Sequence, residues 1–458
     1  MKGFYLVEPV VAIYSFATFL VYPLMQQYVY RRLWEELTNT SYPVADISGC
    51  AANSSNLSRQ YEEVEKAASL FSLYNELFSV VPGLIVTVIL LAYSDHRGRR
   101  ISIILPLVGS LVYTVSVLAI SFFELNINLL IVTSFISALF GSWGTLLGGC
   151  FSYVADVCHD GKQKTLRMAG LDMVIGVLSG AASVCSGYFL KATGFNWPFF
   201  ASSLLHGANL LYVIFVLEET VKVSASEGAQ EGRSRVPLRK LASRVYQLFA
   251  TADRRRSVLL VLLLLTFTIY CFCNVGSMSV VTLFELNEPL CWSEILIGYG
   301  SAFSTINFLT SFLGVSILSR CLPNLPIVII GLLSMTAGLI MTAFAKTTQL
   351  MFLVNVPMIL AIMPAPVLRS MMSKIVSKSE QGALFGCVAF LESLSSSIAF
   401  IAFSSLYAAT VAWFPGLCFL VAAGLCMIPM ALMGVVGFLD SKEVAEPTSL
   451  ISGEEMEG

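Results

Sequence analysis

Apolar residues gather in twelve runs of roughly twenty residues, parted by shorter polar stretches. They cover 7–28, 72–93, 101–122, 127–152, 168–190, 197–217, 257–282, 295–318, 325–345, 349–369, 383–406 and 413–438. A hydrocarbon core about 30 Å thick takes ~20 apolar residues to cross as a helix. The pattern therefore predicts an all-α polytopic membrane protein with twelve spanning helices and little chain left for a soluble domain. The first run, Val7 to Tyr28, is too long for the core of a cleaved leader, and no small-residue cleavage site follows it. It reads as the first span.

Composition agrees with that picture. Apolar residues make up 56% of the chain and charged residues 12%, against about 25% charge in a soluble domain. A charge at mid-bilayer is costly, which explains the deficit. The net charge of −2 says little, but its distribution says more. When loops are assigned alternately to two faces, 21 of the 27 Lys and Arg residues fall on one face and 6 on the other. The positive-inside rule makes the richer face cytosolic. An even number of spans then puts both termini in the cytosol.

The loops carry further signals. The largest on the outer face, from Thr38 to Ala68, holds three N-glycosylation sequons, at Asn39, Asn53 and Asn56. Such sequons are used on the lumenal or extracellular side, the side chosen independently by charge. A polar segment rich in Ser, Gly and Arg, 218–256, divides the spans six and six. The expected organisation is a six-helix bundle over 1–217 with an outer loop at 29–71, the cytosolic linker 218–256, a second bundle over 257–438 and a disordered tail over 439–458. Of eleven cysteines, Cys50 and Cys291 alone sit in outer loops, in an oxidising compartment. They either bridge the two halves or stand as free thiols. The tail contains Glu446 four positions before Leu450-Ile451. That is the form of an endolysosomal sorting address read by a clathrin adaptor.

Several enzyme classes lack their signatures. The chain has no G-x-x-x-x-G-K-[ST] phosphate loop, no H-E-x-x-H, no G-x-S-x-G elbow, and only three histidines. Nothing points to an enzyme, a metal, a bound cofactor or a nucleic-acid partner. Uphill movement of a solute must then draw on an ion gradient.

Charges inside spans are the sharper clue, because intramembrane ionisable groups face a bundle interior or a wet cavity. Asp172 lies about one turn into the fifth span among Leu171, Met173, Val174 and Ile175. Desolvation disfavours an unpaired carboxylate, so Asp172 is a candidate proton carrier. The alternative is a structural partner for a nearby Arg or Lys. Glu392 in the eleventh span resembles it, with no basic neighbour in sequence. Arg369 ends the tenth span after Pro364 and Pro366, which break it. Its guanidinium suits a carboxylate or phosphate, or it is an interfacial positive charge. His206 in the sixth span and Glu76 near the outer end of the second are weaker candidates, and His206 reads first as a hydrogen-bonded core histidine. Between spans two and three runs Ser94-Asp-His-Arg-Gly-Arg-Arg100. Gly98 allows a tight turn, and Asp95, Arg99 and Arg100 form a candidate conformational lock. Asp156, at the cytosolic end of span four, either joins that network or is a solvated interfacial acid.

Ser94-Asp-x-x-Gly-Arg-Arg, Val154-Ala-Asp, Arg167-Met-Ala, Pro289-Leu-Cys-Trp, Ile297-Gly-Tyr-Gly-Ser-Ala, Lys374 and Glu380-Gln-Gly-Ala-Leu-Phe385 together resemble solute carrier family 46, the relatives of the proton-coupled folate transporter. The likeness runs over nearly the whole chain. It is greatest to the family's third, lysosomal member, through Gln27-Tyr-Val-Tyr-Arg-Arg-x-Trp-Glu-Glu36, the stretch from Ala409 to Pro415 and the Leu-Ile tail. The resemblance implies a major facilitator fold and proton-driven movement of organic solutes toward the cytosol. It places Asp172 at the family's proton-coupling acid, Arg369 at its helix-10 arginine, and Cys50 with Cys291 at its outer-loop disulfide. Asn274 stands where the folate transporter has a histidine linked to protonation, Ser142 where it has an aspartate, and Glu392 where it has an asparagine. Those departures point away from folate and toward bulkier conjugated solutes, such as steroid conjugates, muropeptides or amino-acid-linked drug catabolites.

The expectation is a proton-coupled symporter of the lysosomal membrane. Asp172 and Glu392 would carry the proton, and Arg369, Asn274, Ser142 and His206 would bind or gate the solute. The rivals are a non-transporting membrane sensor or scaffold, since fold alone does not fix function, and a plasma-membrane importer of folate-like anions.

Overall fold

The computed structural model describes residues 7–40, 55–158, 160–220, 254–286, 290, 292, 294–377, 380–411 and 413–445. Twelve helical spans long and apolar enough to cross a membrane lie where the hydropathy pattern puts them, from Glu8–Thr38 to Leu417–Leu439. The regular structure among the described residues is entirely helical.

Buried side chains sort into separate cores. One is built almost wholly from the second half, with Leu263, Phe267, Leu332, Met335, Leu368 and Phe419 in it. Two smaller ones belong to the first half, around Val10, Leu107 and Val213 and around Leu24, Val117 and Phe199. The halves meet where spans 2 and 4 pack on span 11, and where span 5 packs on spans 8 and 10. Lipid gives helices no hydrophobic reason to associate, so close packing over small residues does the work. Gly144 faces Ala389 and Ser393, Gly176 lies under the Phe308 ring, and Gly180 under Thr305.

These contacts run from the Arg-rich face, here called the basic face, to mid-membrane. Beyond that the halves part. Gly187 lies eleven residues after Gly176, on nearly the same side of the span 5 helix. No described atom comes within 4 Å of a Cβ built on Gly187. Among the described residues the halves are packed at the basic face, and the side of span 5 at Gly187 is open toward the opposite one.

Several boundaries differ from the expectation. The first helix runs on to Thr38 and the second starts at Ser55, so helix reaches into the outer segment 29–71 from both ends. Arg31, Arg32, Glu35 and Glu36 stand four apart in opposite-charge pairs, which stabilise a helix in water as well as in lipid. The last helix reaches Ala445 rather than stopping at 438. Span 8 is broken at Thr305. Spans 4 and 10 are each interrupted, as described next.

Candidate functional site

Span 4 consists of Leu129–Ala138 and Trp143–Val157. Gly141 between them has φ +112°, a conformation closed to residues with a Cβ. Ser142 then caps the second piece. Its side chain accepts from the backbone of Thr145, and Thr145 Oγ1 accepts from Ser142 N at 3.0 Å. Span 10 breaks at the matching place in the second half. It runs as Thr348–Leu353, a short 3₁₀ turn at Pro357–Leu360, and Pro364–Ile375. The prolines remove N–H groups and orphan carbonyls upstream. Hydroxyls of a neighbouring span and of span 7 donate to other carbonyls in the break: Thr310 to Ile359 O at 2.7 Å and Tyr270 to Ala361 O at 3.0 Å. Helices interrupted at corresponding positions of two halves mark the solute path in many transporters.

The second break redefines Arg369. It does not end its span. The helix continues to Ile375, and Arg369 is only 4% exposed, so it leaves the tally of loop charges and joins the interior. Asp172 is also deeper than expected. Its helix begins at Gly161, which sets it roughly three turns in.

The fold brings Arg369, Asp172 and Glu392 together. Arg369 Nη1 donates to both oxygens of Asp172 at 3.1 and 3.0 Å. Nη2 donates to both oxygens of Glu392, each at 3.0 Å. The guanidinium lies 4.5 Å from the Phe151 ring centroid and 5.1 Å from that of Phe267, a cation–π contact from each half. Its Nε has no acceptor among the described residues. Exposure is graded across the cluster: the Arg369 side chain is 5% exposed, Asp172 13% and Glu392 36%. Asp172 belongs to the first half and the other two to the second, so one ion pair of the cluster joins the halves. Two carboxylates and one guanidinium sum to −1, and a single proton makes the cluster neutral.

The loop motif between spans 2 and 3 is engaged at the basic face. Asp95 accepts from Gly382 N at 2.7 Å and from Ala383 N at 3.0 Å, at the N-terminus of the helix Gln381–Thr410, where the helix dipole favours a negative charge. Arg99 Nη1 is 2.6 Å from Asp95, and its Nε is 2.7 Å from Asp156. Burial works against the Arg99 charge, yet those two acids hold its pKa above the ordinary arginine value. Arg100 Nη2 donates to Val213 O and Ile214 O. Gly98 has φ +114°. Sequence reasoning missed one member. Glu219, just past span 6, accepts from Arg99 N at 2.7 Å and Arg100 N at 3.2 Å, tying the start of the linker to the lock. No motif flags it, since the contact spans 120 residues.

Gly382 is the tight point of this lock. A methyl there would run into the Leu91 carbonyl, the Arg99 guanidinium and the Asp95 carboxylate. Gly382→Ala is expected to shift the closed population by at least about tenfold, because each charge-assisted bond is worth ~1.5–3 kcal/mol. Distance measurements between spin labels on spans 2 and 11 at the basic face read that shift. An unchanged distribution would remove Asp95–Gly382 from the gate.

The remaining predicted residues are scattered. Ser142 Oγ is 3.2 Å from Thr87 Oγ1 at the span 4 break. Asn274 is half-buried in span 7, two turns from Phe267 and on the same side of that helix. His206 is buried beside Tyr14, with ring centroids 5.3 Å apart. It is a core histidine as expected from its place in the span, and its Nδ1 has no hydrogen-bond partner among the described residues. Asn39 caps the first helix at φ 49° and is exposed. Asn53, Cys50, Cys291, Glu446, Leu450 and Ile451 lie outside the described residues, as does the side chain of Asn56.

Twelve spans in two halves, closed at one end over a buried ion cluster and broken at paired positions, define a secondary transporter. The profile of the Major Facilitator Superfamily matches residues 9–399. The solved human organic anion transporter MFSD10 (TETRAN) shares this architecture, with a TM-score of 0.65 over 93% of this chain and 98% of that one, at 16% identity. Among curated relatives, the lysosomal proton-coupled steroid conjugate and bile acid symporter SLC46A3 of Gallus gallus is 46% identical over 94% of each chain. The proton-coupled folate transporter of Rattus norvegicus is 35% identical over 94% of this chain and 91% of its own. The chain belongs to the major facilitator superfamily and, within it, to solute carrier family 46. Relatives and fold are those of transporters, not of enzymes.

Proposed function

We propose that this protein is a proton-coupled symporter of the lysosomal membrane that carries anionic organic conjugates, of the steroid-conjugate and bile-acid kind, from the lumen to the cytosol. The observation that carries the reading is the Arg369 cluster. Asp172 reaches Arg369 from the opposite half, so a proton on Asp172 weakens a tie across the path. A proton on Glu392, the most exposed member, frees Nη2. Either event leaves a guanidinium with spare donors in a buried site, and a solute anion is the partner it then lacks. Tyr270 and Cys271 are the other titratable groups facing the cluster; neither carries a charge that could replace the missing carboxylate at neutral pH.

We read the basic face as cytosolic and the opposite face as lumenal, and the charge asymmetry of the loops supports that reading. Protons enter from the acidic lumen with the solute. Asp95, Arg99, Arg100 and Asp156 then release the basic face, and the neutral cytosol takes the proton. Asn274 and Ser142 line the route above Arg369. The sorting address Glu446–Leu450–Ile451 directs the chain to lysosomes through a clathrin adaptor, Cys50 and Cys291 form an outer disulfide, and the sequons carry glycans. The relatives' lysosomal and proton-coupled names support the reading. Uptake of a radiolabelled steroid sulfate into proteoliposomes tests it. Acid outside and neutral inside is expected to drive accumulation, and accumulation that survives a protonophore would refute the coupling.

A further inference from the structure

A cavity of about 300 Å³ lies within the first half, walled by spans 1 to 4 and closed by Ser393 of span 11. Among the described residues, six serines, Tyr14, Tyr113 and Asn75 supply its polar lining, Glu76 is the one charged residue in the wall, and no Lys, Arg or His lines it. Three of the serine hydroxyls spend their protons on the protein: Ser110 donates to Pro106 O, Ser137 to Gly109 O and Ser134 to Asn75 Oδ1. Ser110 in turn accepts from the Tyr14 hydroxyl, which leaves it one lone pair. Those remaining lone pairs and the Glu76 carboxylate favour a solute that brings donors. One side is aromatic: Tyr14 and Trp143, which stack with centroids 5.3 Å apart and planes at 28°, both line it.

The cavity neighbours the Arg369 cluster across Ser393 and Trp143, which adjoin Glu392 and Gly144 in the chain. Ser393 Oγ lies 3.3 Å from a Cβ built on Gly144, and Gly144, Arg369 and Glu392 share the wall of the small gap beneath. An acceptor-rich chamber bearing a negative charge thus sits beside a buried cation.

We infer that this chamber is the subsite for a hydroxylated ring body, oriented so that the solute's anionic end reaches Arg369, and that Glu76 selects for hydroxyl donors and against a second anion. The inference rests on the proposed function and names which conjugates the same path prefers. A flat ring system lies on the Tyr14–Trp143 face while its hydroxyls donate to serine oxygens and to Glu76. A solute charged at both ends meets the Glu76 carboxylate and is rejected.

Direct binding to the purified, detergent-solubilised protein tests this without requiring transport. Three probes serve: glycine conjugates of a trihydroxy bile acid, of a monohydroxy bile acid, and of the monohydroxy acid sulfated at its ring hydroxyl. The trihydroxy probe is expected to bind about tenfold tighter than the monohydroxy one, as one or two additional hydrogen bonds would give. The sulfated probe is expected to bind weakest. Glu76→Gln is expected to cut the trihydroxy preference about threefold or more and to restore the sulfated probe, and Ser134→Ala to lower the preference alone. Equal binding of the two neutral-ring probes overturns the assignment, as does a Glu76→Gln protein that still rejects the sulfated probe. A proton-insensitive uptake with the full hydroxyl preference would sink the coupling reading and leave this one standing.

Discussion

Arg369→Lys is expected to lower proton-driven uptake at least about a hundredfold while the protein still reaches the membrane. Lysine keeps the charge but loses the planar fork that engages two carboxylates at once. Each charge-assisted bond is worth ~1.5–3 kcal/mol, and the loss of one good partner already corresponds to about tenfold or more. Arg369→Ala goes further. It leaves the Asp172 carboxylate in the interior without a counter-charge, and removing one partner of a buried pair costs about 3–5 kcal/mol, so its yield and melting temperature are expected to fall as well. Uptake in proteoliposomes, normalised to folded protein, separates the two effects. A lysine variant with wild-type flux would show that Arg369 is structural ballast and that the solute anion binds elsewhere.

Asp172→Asn is expected to abolish the dependence of uptake on the proton gradient while the chain still folds. Asparagine nearly preserves volume and keeps an acceptor for Arg369, yet it cannot bind and release a proton. With Glu392 ionised, the cluster then sits at zero net charge without binding a proton, the condition that a single proton creates in the native protein. Concentrative uptake collapses, while exchange of labelled for unlabelled solute across a membrane without a gradient continues at about its native rate. Accumulation ratios with acid outside, set beside exchange rates, measure both quantities. If Asp172→Asn still accumulates solute against its gradient, the coupling proton resides elsewhere, with Glu392 the next group to replace. The sign is set by direction: the site loads on the acid side and unloads on the neutral one, so reversing the gradient must reverse net movement.

Much of the fold was legible in the chain. Twelve apolar runs gave twelve spans to within a few residues at most boundaries, because spanning length is fixed by the bilayer and hydropathy is a local property. The misjudged ends have local causes. Thr38 and Ser55 extend helices into water on charged pairs that a hydropathy scan scores as loop. The breaks in spans 4 and 10 were half visible. Pro364 and Pro366 announced the second, but Gly141-Ser142 reads as ordinary small residues until φ +112° is seen. Asp95, Arg99 and Arg100 were named as a lock, while Glu219 was not, since nothing in its neighbourhood distinguishes it from any acid after a span.

The sequence by itself determined the solvent this chain inhabits, the number of its spans, their asymmetry of charge, and the short list of ionisable groups that lipid tolerates only for a reason. The tertiary structure alone decided which of those groups meet. Asp172 and Arg369 are 197 residues apart, and Arg369 and Glu392 are 23 apart on different helices. Local composition records the cost of burying each charge separately, but the compensation depends on distances of about 3 Å, and only packing two halves against each other sets those.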